Sequence, residues 1–360
     1  MTAEPDRPSP YFTRFPAPLD EIAAYVRAHS RRVDIRGHRC VRCGIRLLLF
    51  LVQRLSWKRA YDLGALLGRC MALFRLRRSV AMINLDIVYG DRKTETEKMR
   101  IYRASLINFG RLIVNYLRLP YQPPAFWQRH CTWKNEHLFR DAMNRGKGVV
   151  VLAGHIGLFD LALGMFGMFG YPAALVGKRI RNPVIDKLVM DTRNAMNAGT
   201  IDYRRSIRRI LRGIRNGEAI AMALDQNMKK RVGIFLDWFG RPACSVHAPA
   251  VVARKTGAPV LAGYCYQKGP DRFELVATDQ LDWISCPEAP EKEIRLNAQK
   301  HADAIQRIIL AHPELWFWIH RRWKTQPEGM ANPYKQGRRA EVRSRRSAVG
   351  LKSEDHEART

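Results

Sequence analysis

Residues Val149–Asp160, with the sequence VVVLAGHIGLFD, decide the fold and contain the first candidate site. The unbroken Val and Leu run, opened by Gly146-Lys147-Gly148, predicts a buried strand over Val149–Ala153, and the apolar, glycine-spaced segment after it predicts a helix. This places His155 at the carboxyl end of a strand and Asp160 about one helical turn further on. Open α/β sheets bind ligands at that edge. An imidazole with a nearby carboxylate is the minimal general-base pair.

The pattern around this segment predicts an α/β fold. From about residue 131, strand and helix patterns alternate. Strands are predicted at Val149–Ala153, Ala173–Val176, Ala219–Leu224, Val260–Tyr266 and Phe273–Ala277. Helices are predicted at 158–169, 183–197, 203–215, 247–256 and 291–311, the fourth capped by Ser245. The predicted fold class is therefore a mixed central sheet flanked by helices, with an N-terminal helical layer.

The helical layer is predicted over residues 45–130. Apolar side chains recur at helical spacing, namely Leu63, Leu66, Leu67, Met71 and Phe74. A second helix, over Thr94–Leu119, begins with a Thr94-x-x-Glu97 capping box. The apolar run Leu47–Val52 is too short to span a bilayer, which needs about 20 residues. Its basic flanks fit either an in-plane interfacial helix or a core-facing helix.

Four regions follow from these patterns. Residues 1–40 form a Pro- and Arg-rich lead that we expect to be poorly ordered, and they lack the apolar stretch of a secretory signal peptide. Residues 41–130 form the helical, membrane-proximal layer, and residues 131–330 form the α/β core. Residues 335–360 form a basic tail that we expect to be disordered.

The charge of the chain is unusual. It has 62 Lys and Arg residues against 33 Asp and Glu residues, a net charge of +29. Such a field attracts nucleic acid, anionic lipid surfaces or acidic proteins, and composition does not choose among them. With 46% hydrophobic residues, the chain has enough apolar side chains for a sizeable core.

The seven cysteines favour a reducing compartment rather than a disulfide scaffold. Cys40 and Cys43 form a C-x-x-C motif without the second pair that a zinc site needs, so incidental thiols are favoured. We predict no metal.

Three further clusters carry polar or aromatic chemistry. Asp225-Gln226-Asn227 follows a predicted strand and is expected on the same face as His155. Phe235–Ala243 is predicted to be an aromatic loop. His312–Lys324 is dense in Trp, His and Arg, and fits either the core and its rim or a membrane interface.

Four motifs occur in a characteristic order: Gly-His-x-Gly-x-x-Asp at 154–160, Asp-Gln at 225–226, Trp-Phe-Gly-x-Pro-Ala at 238–243, and Pro-Glu-x-Trp-x-Trp-x-His-Arg-Arg-Trp-Lys at 313–324. Over residues 45 to 327 the chain resembles the lipid A biosynthesis acyltransferases (lauroyl and myristoyl type). These belong to the lysophospholipid and glycerol-phosphate acyltransferase superfamily. The resemblance implies a glycerol-phosphate acyltransferase-like fold and acyl transfer to a hydroxyl of a glycolipid. It places the reaction at the cytoplasmic face of a bacterial inner membrane, with the protein peripheral or held by its N-terminal apolar helix.

The resemblance also implies the reactants. The acyl donor is an acyl carrier protein thioester, with coenzyme A as the alternative, and no other cofactor is needed. His155 is the general base and Asp160 orients it. The lipid A branch commonly has Glu at that position, whereas Asp is more usual in glycerolipid and mannoside acyltransferases. Phospholipid or mannoside acceptors therefore stay open.

The substrate-binding residues are assigned from their positions relative to the motifs of the family. The functional Arg best matches Arg193, which would hold an acceptor phosphate, and Asp225 matches a second acidic site residue. Backbone N–H groups at the helix start fit an oxyanion site, and Gly157 would allow close approach there. The implied substrate-binding set is Arg193, Asp225, Gly157, Lys178 and Arg179, with Arg181 as a further cation.

Two other functions compete. The net charge and the Trp residues among Arg suggest nucleic-acid binding, but no zinc finger, aromatic RNA-binding strand motif or helix-turn-helix string stands out. A hydrolase on the same scaffold needs a nucleophile elbow such as G-x-S-x-G, which the sequence lacks.

Overall fold

The computed structural model describes residues 47–335 apart from 120, 121, 123, 179, 181, 183–185, 187, 188, 191, 192, 194–197 and 279. Predictions for the lead, the basic tail and the Cys40/Cys43 pair lie outside the described residues. So do those for Arg179, Arg181 and most of the predicted helix 183–197.

Helices precede the sheet. Residues 47–54 are helical, followed by α1 (Trp57–Leu73), α2 (Arg78–Tyr89), α3 (Glu95–Tyr116) and α4 (Pro124–His130). The predicted capping box is confirmed: the Thr94 hydroxyl accepts from the Glu97 amide at 3.3 Å, and the Glu97 carboxylate accepts from the Thr94 amide at 2.8 Å. Of the helices in the described residues, none has the length and hydropathy to cross a bilayer.

Small residues hold α1 against α3. A Cβ on Gly68 would lie 2.4 Å from the Ile107 Cα, and a Cβ on Gly110 would lie 2.2 Å from the Gly64 carbonyl oxygen. The helices therefore meet backbone to backbone, and only glycine fits at the crossing. On its other side, α1 exposes several large apolar side chains, among them Leu66 and Leu73.

A seven-stranded sheet forms the centre of the α/β region. The strands are β1 (Cys131–Lys134), β2 (Val149–Ala153), β3 (Ala173–Gly177), β4 (Ala198–Asp202), β5 (Ala219–Ala223), β8 (Val260–Gln267) and β9 (Phe273–Ala277). Their order is β1-β9-β8-β2-β5-β3-β4. All neighbouring pairs are parallel except β8 and β9, which are antiparallel.

Helices cover both faces of the sheet. They are α5 (Glu136–Asn144), α6 (Phe159–Met168), α7 (Ile207–Arg215), α8 (Ala248–Thr256) and α9 (Pro290–Ala311). Val150 and Leu152 of β2 belong to one hydrophobic core, and Val149 and Val151 belong to the other. Because β2 is buried on both faces, its sequence is continuously apolar rather than alternating. The predicted fold class is confirmed.

The five predicted strands are present, with ends that agree to within one residue. The short strands β1 and β4 had not been predicted. The expected aromatic loop is instead a hairpin of β6 (Ile234–Trp238) and β7 (Arg241–Ser245), joined by Phe239 and Gly240, which both have positive φ as a tight hairpin turn requires. The predicted Ser245 cap is also wrong, since this buried hydroxyl lies in β7 and accepts from the Trp238 indole at 3.1 Å.

Candidate active site

The sheet order brings His155 and Asp225 together. Strands β2 and β5 are parallel neighbours with Ala153 opposite Ala223, so the residues that follow them leave the sheet at the same edge. The Asp225 carboxylate accepts from the His155 backbone amide at 2.8 Å, and its other oxygen lies 2.8 Å from His155 Nδ1. A residue 70 positions away thus holds the ring in place.

The hydrogen bonds fix the tautomer of His155. Asp225 also accepts from the Trp316 indole at 2.8 Å and is almost fully buried. Burial alone would raise the pKa of Asp225, but the neighbouring His155 ring and the hydrogen bonds from His155 and Trp316 lower this pKa by more, so the carboxyl stays ionised. An ionised carboxylate only accepts hydrogen bonds, so Nδ1 carries a proton, and in the neutral imidazole the lone pair is on Nε2.

The lone pair on Nε2 faces the accessible side of the ring. The Gln226 side-chain amide lies 2.8 Å from Nε2, where it donates. Gln226 is exposed, and the His155 side chain retains 20% of its accessible surface. Phe159 lies beside the ring, with centroids 4.6 Å apart. His155 is therefore in the state that a general base needs.

In the structure, Asp160 is not bonded to His155, the residue that it was expected to orient. Its carboxylate pairs with the Arg193 guanidinium rather than with His155, whose two ring nitrogens are bonded to Asp225 and Gln226. The reason lies in the connection, because α6 begins only at Phe159 and residues 155–157 are not helical. Helical spacing therefore does not relate His155 to Asp160. A catalytic role for Asp160 stays a prediction.

Arg193 is held in a mostly buried position. Besides Asp160, it donates to the Thr200 hydroxyl at 3.3 Å, and its side chain retains 11% of its surface. Lys178 is exposed directly after β3, at the same edge of the sheet. Binding of an acceptor phosphate by these two cations stays a prediction.

Two of the backbone amides between His155 and the start of α6 are bonded within the protein, and an oxyanion site at the remaining amides of the helix start stays a prediction. The Gly157 amide donates to the Leu315 carbonyl at 2.9 Å, and the Leu158 amide donates to the Cys265 carbonyl at 2.7 Å. Gly157 has a φ of 58°, and a Cβ there would lie 2.2 Å from the Cys265 oxygen. Glycine is thus required for this close approach, but against strand β8 rather than against a substrate.

The His312–Lys324 segment lies beside His155 on the interior side of the site. It pairs with the residues after β2, and the Phe317 amide donates to the His155 carbonyl at 3.1 Å. Trp318, Trp323 and Arg322 are fully buried. Of the two interpretations of these Trp and Arg residues, the structure supports the core.

Sequence reasoning did not assign Trp316 or Gln226 to the site. Gln226 belongs to the Asp-Gln motif and Trp316 to the 313–324 motif. Their contacts depend on the order of strands in the sheet, which the local sequence does not predict. Within the described ranges, no three His, Cys, Asp or Glu side chains lie close enough to hold a metal ion.

The model of the family described as bacterial lipid A biosynthesis acyltransferase matches residues 41–325, more than three quarters of the chain. The chain belongs to this family. It is an O-acyltransferase.

The chain is similar to acyltransferases of lipid A biosynthesis and to a phosphatidylinositol mannoside acyltransferase. The lipid A biosynthesis lauroyltransferase of Escherichia coli K12 is 25% identical over 300 residues, which are 80% of this chain and 92% of the relative. The palmitoleoyltransferase of the same organism is 23% identical over 290 residues, with the same coverage. A phosphatidylinositol mannoside acyltransferase of Mycobacterium tuberculosis is 26% identical over 254 residues, 67% of this chain and 74% of the relative.

Two imidazoles, His301, which is buried, and His320, which is half-buried, should make the stability of the acyltransferase depend on pH. Burial and the charge of Lys300 lower the pKa of His301 to about 4. Burial also lowers the pKa of His320 to about 4, and His320 Nε2 accepts from the Asn227 amide at 3.1 Å. Between pH 6.5 and pH 4, these two imidazoles bind protons in the unfolded chain but not in the folded protein. The free energy of unfolding therefore falls as the pH drops through this range.

From pH 6.5 to pH 5, each imidazole should remove about 1.5 kcal/mol from the free energy of unfolding. Urea unfolding followed by circular dichroism at several pH values measures this. The variants His301→Gln and His320→Gln should each reduce the slope, because glutamine does not titrate. An unchanged slope in both variants would contradict the assignment.

Proposed function

We propose that this acyltransferase moves a fatty acyl group from an acyl carrier protein thioester to a hydroxyl of a glycolipid, at the cytoplasmic face of the bacterial inner membrane. The observation that carries the proposal is the state of His155. Its Nδ1 proton is fixed by a buried, ionised Asp225, and its Nε2 lone pair faces the accessible side of the ring.

The reaction follows from that arrangement. The acceptor hydroxyl replaces the Gln226 amide at Nε2 and gives its proton to the ring as its oxygen attacks the thioester carbonyl carbon. Asp225 stabilises the imidazolium. When the tetrahedral intermediate collapses, the C–S bond breaks and the thiolate takes the proton from Nε2. The products are an ester and a free thiol, and His155 returns to its starting state.

The Asp160–Arg193 pair is proposed to shape the acceptor side of the site. Both side chains are about nine-tenths buried, and Thr200 fixes the guanidinium on its other side. A guanidinium held this way is preorganised for a phosphate that approaches its remaining N–H groups. Lys178, exposed after the neighbouring strand, would add charge at the mouth.

The identity of the acceptor rests on relatives. Those found act in lipid A biosynthesis or on phosphatidylinositol mannosides, which supports a glycolipid. Asp160 in place of the Glu that is common in the lipid A branch keeps a mannoside or phospholipid as the alternative. The net charge of +29 fits an acidic carrier protein as donor, and it also fits the phosphates of coenzyme A.

A peripheral position on the membrane fits the outer face of α1. Leu63, Leu66 and Leu73 are exposed there, beside the equally exposed Arg59 and Arg69. Apolar side chains between cations are typical of a helix that lies in the plane of the interface.

The test is reconstitution with purified protein. Lauroyl, myristoyl and palmitoyl thioesters of acyl carrier protein and of coenzyme A are each combined with a lipid A precursor, a phosphatidylinositol mannoside or a phospholipid. We expect mass spectrometry to show one added acyl ester on a glycolipid, faster with the carrier protein. If no acceptor is acylated and the protein binds random oligonucleotides tightly at physiological salt, the nucleic-acid alternative is favoured.

A further inference from the structure

A cavity of about 620 Å³ lies between the helices of the N-terminal layer. Its walls are the carboxyl end of α1, the turn that follows, the first residue of α2 and the first half of α3. This volume is typical of ligand sites. Neither His155 nor any residue bonded to it lines the cavity.

Four arginines surround the cavity. Arg69, Arg75, Arg78 and Arg103 all line it, and all are exposed. Among the described residues that line it, none is acidic. The ion pairs formed within the described ranges include none of these four guanidiniums. Four guanidiniums without a carboxylate form a site for an anion, and phosphate matches their bidentate geometry.

The turn before α2 holds its arginines in an uncommon conformation. Arg75 and Arg77 have φ of 54° and 48°, the left-handed region that side chains other than glycine seldom adopt. Backbone hydrogen bonds fix the turn, from the Leu76 amide to the Met71 carbonyl at 2.9 Å and from the Arg78 amide to the Arg75 carbonyl at 3.0 Å. Such conformations concentrate at functional sites.

Apolar surface adjoins the charge and identifies the kind of anion. Met99 and Ile107 line the cavity beside the arginines. At its edge, Leu73 and Phe74 are 77% and 82% exposed. Exposed Leu and Phe at the mouth of a cationic site fit a ligand that carries apolar chains beside its anionic group. A phospholipid presents a phosphate and acyl chains side by side.

We propose that this cavity binds the headgroup phosphate of an anionic phospholipid, while Leu73 and Phe74 enter the acyl region of the same leaflet. This proposal rests on the proposed function at a membrane. It adds the class of lipid that binds the enzyme there. It concerns a site separate from His155, so binding is measured without acyl donor or acceptor.

The experiment is vesicle sedimentation with the full chain. Vesicles of phosphatidylcholine alone are compared with vesicles in which part of it is replaced by phosphatidylglycerol. The test variant is R75A/R103A, and the matched control is R100A/R208A, which removes two exposed arginines that do not line the cavity. We expect the test variant to lose about tenfold or more in affinity for the anionic vesicles and the control less than about threefold.

Acyl transfer in detergent solution should be retained by R75A/R103A, which shows that the variant is folded. Equal losses in both variants would overturn the proposal in favour of diffuse attraction by the whole charge. So would wild-type binding that shows no preference for phosphatidylglycerol. Weaker binding of acyl carrier protein by R75A/R103A with unchanged vesicle binding would assign the cavity to the carrier. Calorimetric binding of inorganic phosphate, without preference for anionic vesicles, would assign it to a soluble anion.

Discussion

The His155→Asn variant is expected to lose acyl transfer by about 10²–10⁴-fold while it remains folded. The Asn side-chain nitrogen takes the position of Nδ1 and continues to donate to Asp225, so the buried carboxylate keeps its partner. What disappears is Nε2, the atom that receives the proton of the acceptor. An alanine at this position would leave the carboxylate short of a donor and mix a loss of stability into the result.

Initial rates of ester formation at saturating donor measure this loss, and the melting temperature checks the fold. His137→Asn is the matched control, because His137 is exposed on α5 and its substitution should leave the rate unchanged. Without a base, the residual rate should rise with hydroxide concentration across the neutral range. A variant that keeps more than about a tenth of the activity would exclude His155 as the general base.

The local sequence pattern was sufficient to predict the strand and the position of His155 after it. An unbroken Val and Leu run predicted β2, because a strand buried on both faces has no polar alternation. The expectation that His155 and Asp225 share an edge of the sheet also agrees with the structure. Both follow strands that are parallel, and parallel strands end at the same edge.

The contacts around His155 could not be predicted from the sequence next to it. Asp160 was expected to orient His155 because the two are five residues apart, but Gly157 turns the chain with a positive φ and α6 starts only at Phe159. Asp225 reaches the ring because β5 is the neighbour of β2, a property of sheet order. Trp316 lies 91 residues from Asp225, and only the packed structure brings its indole to that carboxylate.

Asp225→Asn is expected to lower turnover by about 10³–10⁴-fold, although it changes the volume of the side chain very little. Two N–H donors, from the His155 backbone and the Trp316 indole, converge on one carboxylate oxygen at 2.8 Å each. They hold the amide oxygen of Asn at that position. The amide nitrogen must then face Nδ1, which has to become an acceptor. The proton moves to Nε2, and the ring no longer accepts a proton from the hydroxyl.

Nitrogen NMR of the His155 ring reports this change directly, independently of turnover. In the wild type the proton should be on Nδ1, and in Asp225→Asn it should be on Nε2. A variant that is merely less stable would lose activity without this exchange, so the spectrum separates a positioning role from a structural one. Activity at the wild-type level in Asp225→Asn would contradict the tautomer assignment.

Asp160→Asn is the matched control, since it is the same substitution at a neighbouring aspartate. Its carboxylate pairs with Arg193, so the His155 tautomer should not change. Any loss of activity should come through Arg193, and the effects of Asp160→Asn and Arg193→Gln should therefore fall well short of adding in the double variant. If Asp160→Asn instead moves the proton to Nε2 and costs more turnover than Asp225→Asn, Asp160 is the carboxylate that orients the base during the reaction. The contact between His155 and Asp225 would then have to change when the acceptor binds.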